Sequence, residues 1–252
     1  MTIEASFARL TPAEALVLLD PDKVQGASAL KVTLMDLIAR GRVRVREEEH
    51  RGFLGFRSKL VFLHPNETQQ PPADDPAHIQ AVFEVLHAAQ KHQGRMEYVI
   101  LEAANRFSAG MYNYQMKHVR PALIARGLIA SRQEKMLRVF TVTRHGPTPL
   151  GEQIQTELRG RLEQARALST RLKACEPVEA AALLVSLGSA VWLVPDLKPH
   201  YRQLNKALRA EEGIDMLDLL DLVDVAFDAL DAFDAGFDAS GGGGDGGGDG
   251  GD

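Results

Sequence analysis

Three arginines on one side of an extended segment carry the plainest chemical suggestion in the chain. Arg42, Arg44 and Arg46 alternate with Val43 and Val45, and a period of two puts all three on one face of a strand. Arg51, Arg57 and Lys59 surround the following turn, which displays Phe53, Leu54 and Phe56. A basic hairpin with an aromatic tip can press that tip into a membrane interface while its cations meet anionic headgroups. It can equally lie along a nucleic-acid backbone, or fold Phe53 and Phe56 back onto the body. A second basic group is helical. Arg120 lies three residues after Lys117, a spacing that shares one helix face, and Lys31 occupies a position that recurs 86 residues later as Lys117.

No catalytic pattern accompanies these cations. The chain lacks G-x-S-x-G, H-E-x-x-H and the G-x-x-x-x-G-K-[ST] phosphate loop. Its eight histidines are scattered, and His87 and His92, five apart, do not share a helix face. Glu47, Glu48 and Glu49 read as a solvated charge run. A single cysteine, Cys175, excludes a disulfide framework and a cysteine-built zinc site. Nothing nominates a pair of carboxylates for acid–base work, and no metal centre or cofactor is implied. A non-enzymatic protein is the expectation.

The elements that position the cations are marked by a concealed repeat. Leu37-Ile38-Ala39-Arg40-Gly41 reappears as Leu123-Ile124-Ala125-Arg126-Gly127. Each copy ends a helical pattern, and Gly41 and Gly127 fall at the C′ position, where a left-handed backbone closes a helix. Strand-like segments follow each glycine: 42–45 and 59–63 after the first, 128–131 and 138–142 after the second. Helical patterns precede both copies, at Pro12 to Leu19 and at Pro76 to Gln90 with Glu97 to Asn105. Helix, glycine stop and two-stranded wing outline a winged helix. The predicted fold is mainly α, with tandem winged-helix-like modules carrying short β-hairpins, followed by C-terminal helices and a disordered Gly/Asp tail. The expected boundaries are a first module at 1–64, a proline-rich linker at 65–76 and a second module at 77–150. C-terminal helices packing on the body cover 151–212, an acidic amphipathic helix 213–239 and the tail 240–252.

Charge divides the chain inside the C-terminal helical segment, at Cys175. Residues 1–175 carry 25 Lys+Arg against 18 Asp+Glu, a net of +7, whereas residues 176–252 carry 4 against 16, a net of −12. A basic body points to an anionic partner, with the acidic segment as competitor or solubiliser. From Asp215 to Asp238 aspartates recur every three or four residues beside an apolar stripe that includes Leu220, Phe227 and Phe233, the mark of an amphipathic helix. The apolar run between Pro177 and Pro195 spans 17 residues. As a helix it would cover about 26 Å, short of a hydrocarbon core of about 30 Å, so a buried core helix is expected there. The first residues show no basic-then-apolar signal, which makes a cytoplasmic protein, peripheral at the membrane where its cations meet it, the expectation.

The order of motifs resembles the Golgi phosphoprotein 3 family, including its shorter bacterial members. The matching pieces are Leu10-Thr11-Pro12-Ala13-Glu14-Ala15-Leu16 and Ala39-Arg40-Gly41-Arg42-Val43. Tyr114-Gln115-Met116-Lys117-His118-Val119-Arg120, Ala125-Arg126-Gly127-Leu128-Ile129 and Phe140-Thr141-Val142-Thr143-Arg144-His145 follow. The Arg-rich helix at 157–168 and Glu176-Pro177 with Ala181-Ala182-Leu183-Leu184 complete the series. The resemblance implies a mostly helical peripheral membrane protein that recognises phosphatidylinositol 4-phosphate in a basic pocket, with a projecting hairpin for membrane contact or self-association. By position, the family's pocket arginines fall on Lys31, Lys117 and Arg120, while its pocket tryptophan has no counterpart, Asp22 lying near that place. A second resemblance is to the cytosolic end of uncharacterised, glycine-tailed bacterial membrane proteins with tandem winged-helix-like modules.

Three functions follow as expectations. The first is an adaptor that binds anionic lipid headgroups or a phosphate ligand through Lys31, Lys117 and Arg120. The second is a DNA-binding regulator that uses both repeat helices, and the third a protein-interaction scaffold.

Overall fold

The computed structural model describes residues 10–51, 57–66, 75–136, 140–171, 193–194 and 233. Helix α1 (Pro12–Leu19) starts on a capping box. Thr11 Oγ1 accepts from the Glu14 amide at 3.3 Å, and the Glu14 carboxylate accepts from the Thr11 amide at 2.9 Å. Pro12 occupies the first turn, where its missing N–H costs nothing. α1 is buried on nearly every side, with Ala13, Val17 and Leu18 wholly inaccessible.

Helix α2 (Gly26–Ala39) begins against the 109–111 turn so closely that a Cβ on Gly26 would collide with the Met111 backbone. It ends as the sequence pattern requires. Gly41 takes a φ of 67°, its N–H bonds to Ile38 O at 2.8 Å, and Arg42 N–H bonds to Leu37 O at 2.9 Å. This is the paired 6→1 and 5→2 closure of a Schellman motif. Strands β1 (Val43–Arg51) and β2 (Arg57–Pro65) then form an antiparallel hairpin, in register from Val43↔Pro65 to Arg51↔Arg57. The ladder runs well past the apolar segments read from sequence, because strand pairing continues through the polar 47–51 stretch.

Helix α3 (Ala77–Ala89) and a 3₁₀ turn (Gln90–His92) lead into α4 (Met96–Phe107). After another 3₁₀ turn (Ala109–Met111) come α5 (Tyr112–Tyr114), a π-turn (Gln115–Val119) and α6 (Arg120–Ala125), one after another without a break. Pro121 explains the π-turn. It has no N–H for the Lys117 carbonyl four residues back, and its ring crowds that carbonyl, so the helix widens just before it. The second glycine stop repeats the first: Gly127 has a φ of 68°, with bonds of 2.9 Å from Gly127 N to Ile124 O and from Leu128 N to Leu123 O. Strands β3 (Ile129–Met136) and β4 (Phe140–Pro147) form the second antiparallel hairpin. The long helix α7 (Pro149–Arg171) follows.

A helix closed by a glycine stop and followed by a hairpin therefore occurs twice, and the two small antiparallel sheets interrupt a mostly helical chain. One apolar core runs through both copies. α7 joins it through Ile154, Leu158, Leu162 and Ala165, a helical stripe that lies against α1. Val194 and Phe233 are also buried in this core. The rest of the apolar run between Pro177 and Pro195, the acidic segment apart from Phe233, the glycine tail, most of the proline-rich linker and the hairpin tip with Phe53 and Phe56 lie outside the described residues. No helix among the described residues is long and apolar enough to cross a membrane.

Candidate functional site

The loop at 20–25, between α1 and α2, is where the second repeat meets the first. Arg120, at the start of α6, donates from Nη2 to the Pro21 carbonyl. The Gln115 amide, on the π-turn, donates to Val24 O at 2.7 Å and accepts from Arg120 Nη2 at 3.1 Å. From α7, Gln155 donates to Leu18 O (3.0 Å) and Leu19 O (2.9 Å), and Arg159 reaches Leu19 O at 3.3 Å. From β4, the His145 amide donates to Asp22 Oδ1 at 3.1 Å, and Arg144 stands 3.8 Å from the other Asp22 oxygen. The π-turn and α6 thus hold the loop by its carbonyls and β4 by the Asp22 side chain, while α7 holds the last carbonyls of α1 that lead into it.

Arg120 is the buried charge in this arrangement, at 4% exposure. Burial lowers its pKa, while the Tyr112 and Asp22 groups act the other way. His145 is held below the usual imidazole range by burial and by the Arg120 charge, against an opposing pull from Asp22. The Nε and Nη1 hydrogens of Arg120 have no partner among the described residues. The Arg120 guanidinium and His145 thus stand near Asp22 together with Arg144, which also lies 3.0 Å from Glu134.

The other two expected headgroup ligands are placed less deeply. Lys31 is half-buried on α2, and Lys117 is exposed on the π-turn, two elements that pack against each other. Lys117 and Arg120 do not share an exposure. A π-turn rotates less per residue than an α-turn, so three residues fall further short of a full turn, and the side chains diverge. Lys117 nonetheless makes itself felt: its charge, after burial and Arg106, lowers the His118 pKa.

The first hairpin divides its arginines. Arg42, expected on the contact face, instead makes a two-point ion pair with Asp75, its Nη1 donating to Oδ1 at 3.1 Å. Its guanidinium lies 4.9 Å over the Phe83 ring, which makes it a tie between hairpin and α3. Arg44 and Arg46 are exposed on β1. Arg46 sits 4.8 Å over Phe62 and 3.1 Å from Glu48, an exposed pair worth little. Arg57 and Lys59 pair in the ladder with Arg51 and Glu49, and their side chains, like Phe53 and Phe56, lie outside the described residues.

Sequence reasoning missed Arg144, His145, Gln155 and Arg159 as loop partners. They come from two other elements, and no spacing pattern connects them to residues 18–22. The nearest signal was Asp22, read only as standing where the family has a tryptophan.

A comparison with curated proteins returns no match. The family model for Golgi phosphoprotein 3 (GPP34) matches residues 13–220, which takes in both helix–helix–hairpin units, α7 and every basic residue described above. On that extent of match, the chain belongs to the Golgi phosphoprotein 3 family.

Proposed function

We propose that the chain is a non-enzymatic peripheral adaptor that binds anionic, phosphoinositide-like headgroups through Lys31, Lys117 and Arg120. The observation that carries this reading is Arg120: a buried guanidinium anchored to the Pro21 carbonyl, with donors left over, and with Arg144 and His145 close to Asp22 beside it. Family membership supports it. Lysine at two of the three positions supplies point charge in place of a bidentate fork, and Asp22 stands where an aromatic would pack on the ligand. Discrimination among anionic headgroups is therefore weak in this chain.

The alternatives have less support. In the DNA-binding reading the two repeat helices would enter major grooves with Lys31 and Lys117 at matched positions, yet on the same helices Arg40 pairs with Asp36 at 2.9 Å and, just past the second, Arg126 pairs with Glu14 at 3.2 Å. Those carboxylates oppose phosphate contact. The scaffold reading rests on the same two modules and requires none of the cations.

Sedimentation with anionic vesicles tests the proposal. Each cation near a charged surface contributes about 1 kcal/mol, so Lys31→Glu with Lys117→Glu should abolish most of the bound fraction. Undiminished binding by the double variant would remove the assignment.

A further inference from the structure

The base of the first hairpin holds a second cation-lined space that shares no residue with Lys31, Lys117 and Arg120. It is a cavity of about 510 Å³, within the range of small-molecule sites of roughly 300–1,000 Å³. Arg44 and Arg46 line it from β1, His64 from β2, His87 and Gln90 from the end of α3, and Asn66 from just beyond β2. Among the described residues no carboxylate lines it, and Arg46 leaves an exposed pairing with Glu48, at 3.1 Å, to face an anion there.

The polar groups are held in a definite order. Gln90 donates its two amide hydrogens to Leu63 O and Leu86 O, both at 3.0 Å. Its Oε1 therefore faces His64 Nδ1, at 2.9 Å, as an acceptor, and Nδ1 carries the hydrogen. His64 is thus fixed with Nε2 unpartnered among the described residues. Asn66 is fixed as well, donating from Nδ2 to Gly41 O at 2.9 Å. Arg44 lies directly across the ladder from His64. Neither the Arg44 guanidinium nor His87 has a hydrogen-bond or ion-pair partner among the described residues.

We infer that this cavity is a phosphate-ester site, in which Arg44 and Arg46 grip the phosphate, His87 completes its hydrogen bonding, and the His64 Nε2 acceptor meets a hydroxyl of the ester. Two guanidinium groups on alternate strand positions present planar forks to one anion, and phosphate oxygens accept several converging donors at once. The volume accommodates a body attached to the phosphate. That body belongs either to a soluble phosphate ester or to a lipid headgroup.

The test uses the full chain and calorimetric titration with inorganic pyrophosphate at constant ionic strength. Arg44 and His87 are both exposed, so Arg44→Ala with His87→Ala leaves the core intact, which circular dichroism checks. Pyrophosphate affinity should fall about tenfold or more in that double variant and stay unchanged in Lys31→Glu with Lys117→Glu. Phosphatidylcholine vesicles doped with phosphatidic acid then separate the sources. Vesicle binding that falls together with pyrophosphate binding assigns a lipid headgroup, and vesicle binding that persists assigns a soluble ester. Absent pyrophosphate binding, equal binding by the Arg44/His87 variant, or loss in the Lys31/Lys117 variant overturns the site, whatever the vesicle result for Lys31 and Lys117.

Discussion

Arg42 and Arg44 stand two residues apart and do different work. The Arg42 side chain is 13% exposed and its partner Asp75 11%, so most of the ion pair is out of water, and removing one partner strands the other. Truncation of largely buried pairs of this kind costs about 3 kcal/mol. Arg42→Ala should lower stability in urea unfolding by roughly that amount while leaving vesicle binding unchanged. Arg44→Ala, on an open face, should leave unfolding unmoved. His78 is a second residue whose environment fixes its behaviour. It is inaccessible to solvent, its Nε2 lies 3.0 Å from Thr11 Oγ1, and its Nδ1 has no partner among the described residues. Burial first, and the nearby His118, lower its pKa to about 4, against Asp75. Since the unfolded group titrates near 6.5, the unfolded chain takes up the proton first. The stabilisation is complete above about pH 6.5 and is lost as pH falls towards 4, amounting to about 3 kcal/mol. Urea unfolding at both ends of that window should show a smaller pH dependence in His78→Leu than in the native chain, by about this margin.

At the scale of elements, the duplication is clearest in how its helices stop. Gly41 and Gly127 share a φ, a hydrogen-bond pattern and an open setting, with nothing within 4 Å of a Cβ built on either. The cost of a side chain there is therefore conformational alone, about 1 kcal/mol for a left-handed alanine. Gly41→Ala and Gly127→Ala should each shift the urea midpoint by an equivalent amount, and the double variant by their sum. A clear difference between the two would show that the repeat's ends are not equivalent. Between the stops the copies diverge. The first helix runs as regular α from Gly26 to Ala39, whereas its counterpart carries the π-turn forced by Pro121. The repeat itself is visible in the chain because a helix stop and a strand start are local events. The π-turn's effect on Lys117 and Arg120 is not, since equal spacing in sequence reads as equal spacing in angle.

Across the whole molecule, the acidic segment turns out to be tied to the basic body at one point at least. Phe233, in its apolar stripe, is 3% exposed and belongs to the common core. Phe233→Ala should destabilise the body by about 3 kcal/mol, measured as a lowered urea midpoint. An unaltered midpoint would mean that the contact contributes nothing. The split between a net of +7 and a net of −12 is therefore not simply a boundary between a folded body and an appendage, because the anionic half contributes a core side chain.

The amino-acid sequence alone determined the local events: the helix from Pro12, the two glycine stops, the hairpins after them, and the family to which their order belongs. Each follows from backbone sterics or from a short hydrophobic period, which neighbouring residues settle among themselves. Only the tertiary structure decided which cations are taken up by distant partners. Arg42 meets Asp75 across 33 residues, Arg120 meets Pro21 across 99, and Arg126 meets Glu14 across 112. The histidines of the hairpin-base cavity come from β2 and α3. Such partners are chosen by which faces pack against one another. That choice depends on the shape of the whole core, and no spacing within a single segment records it.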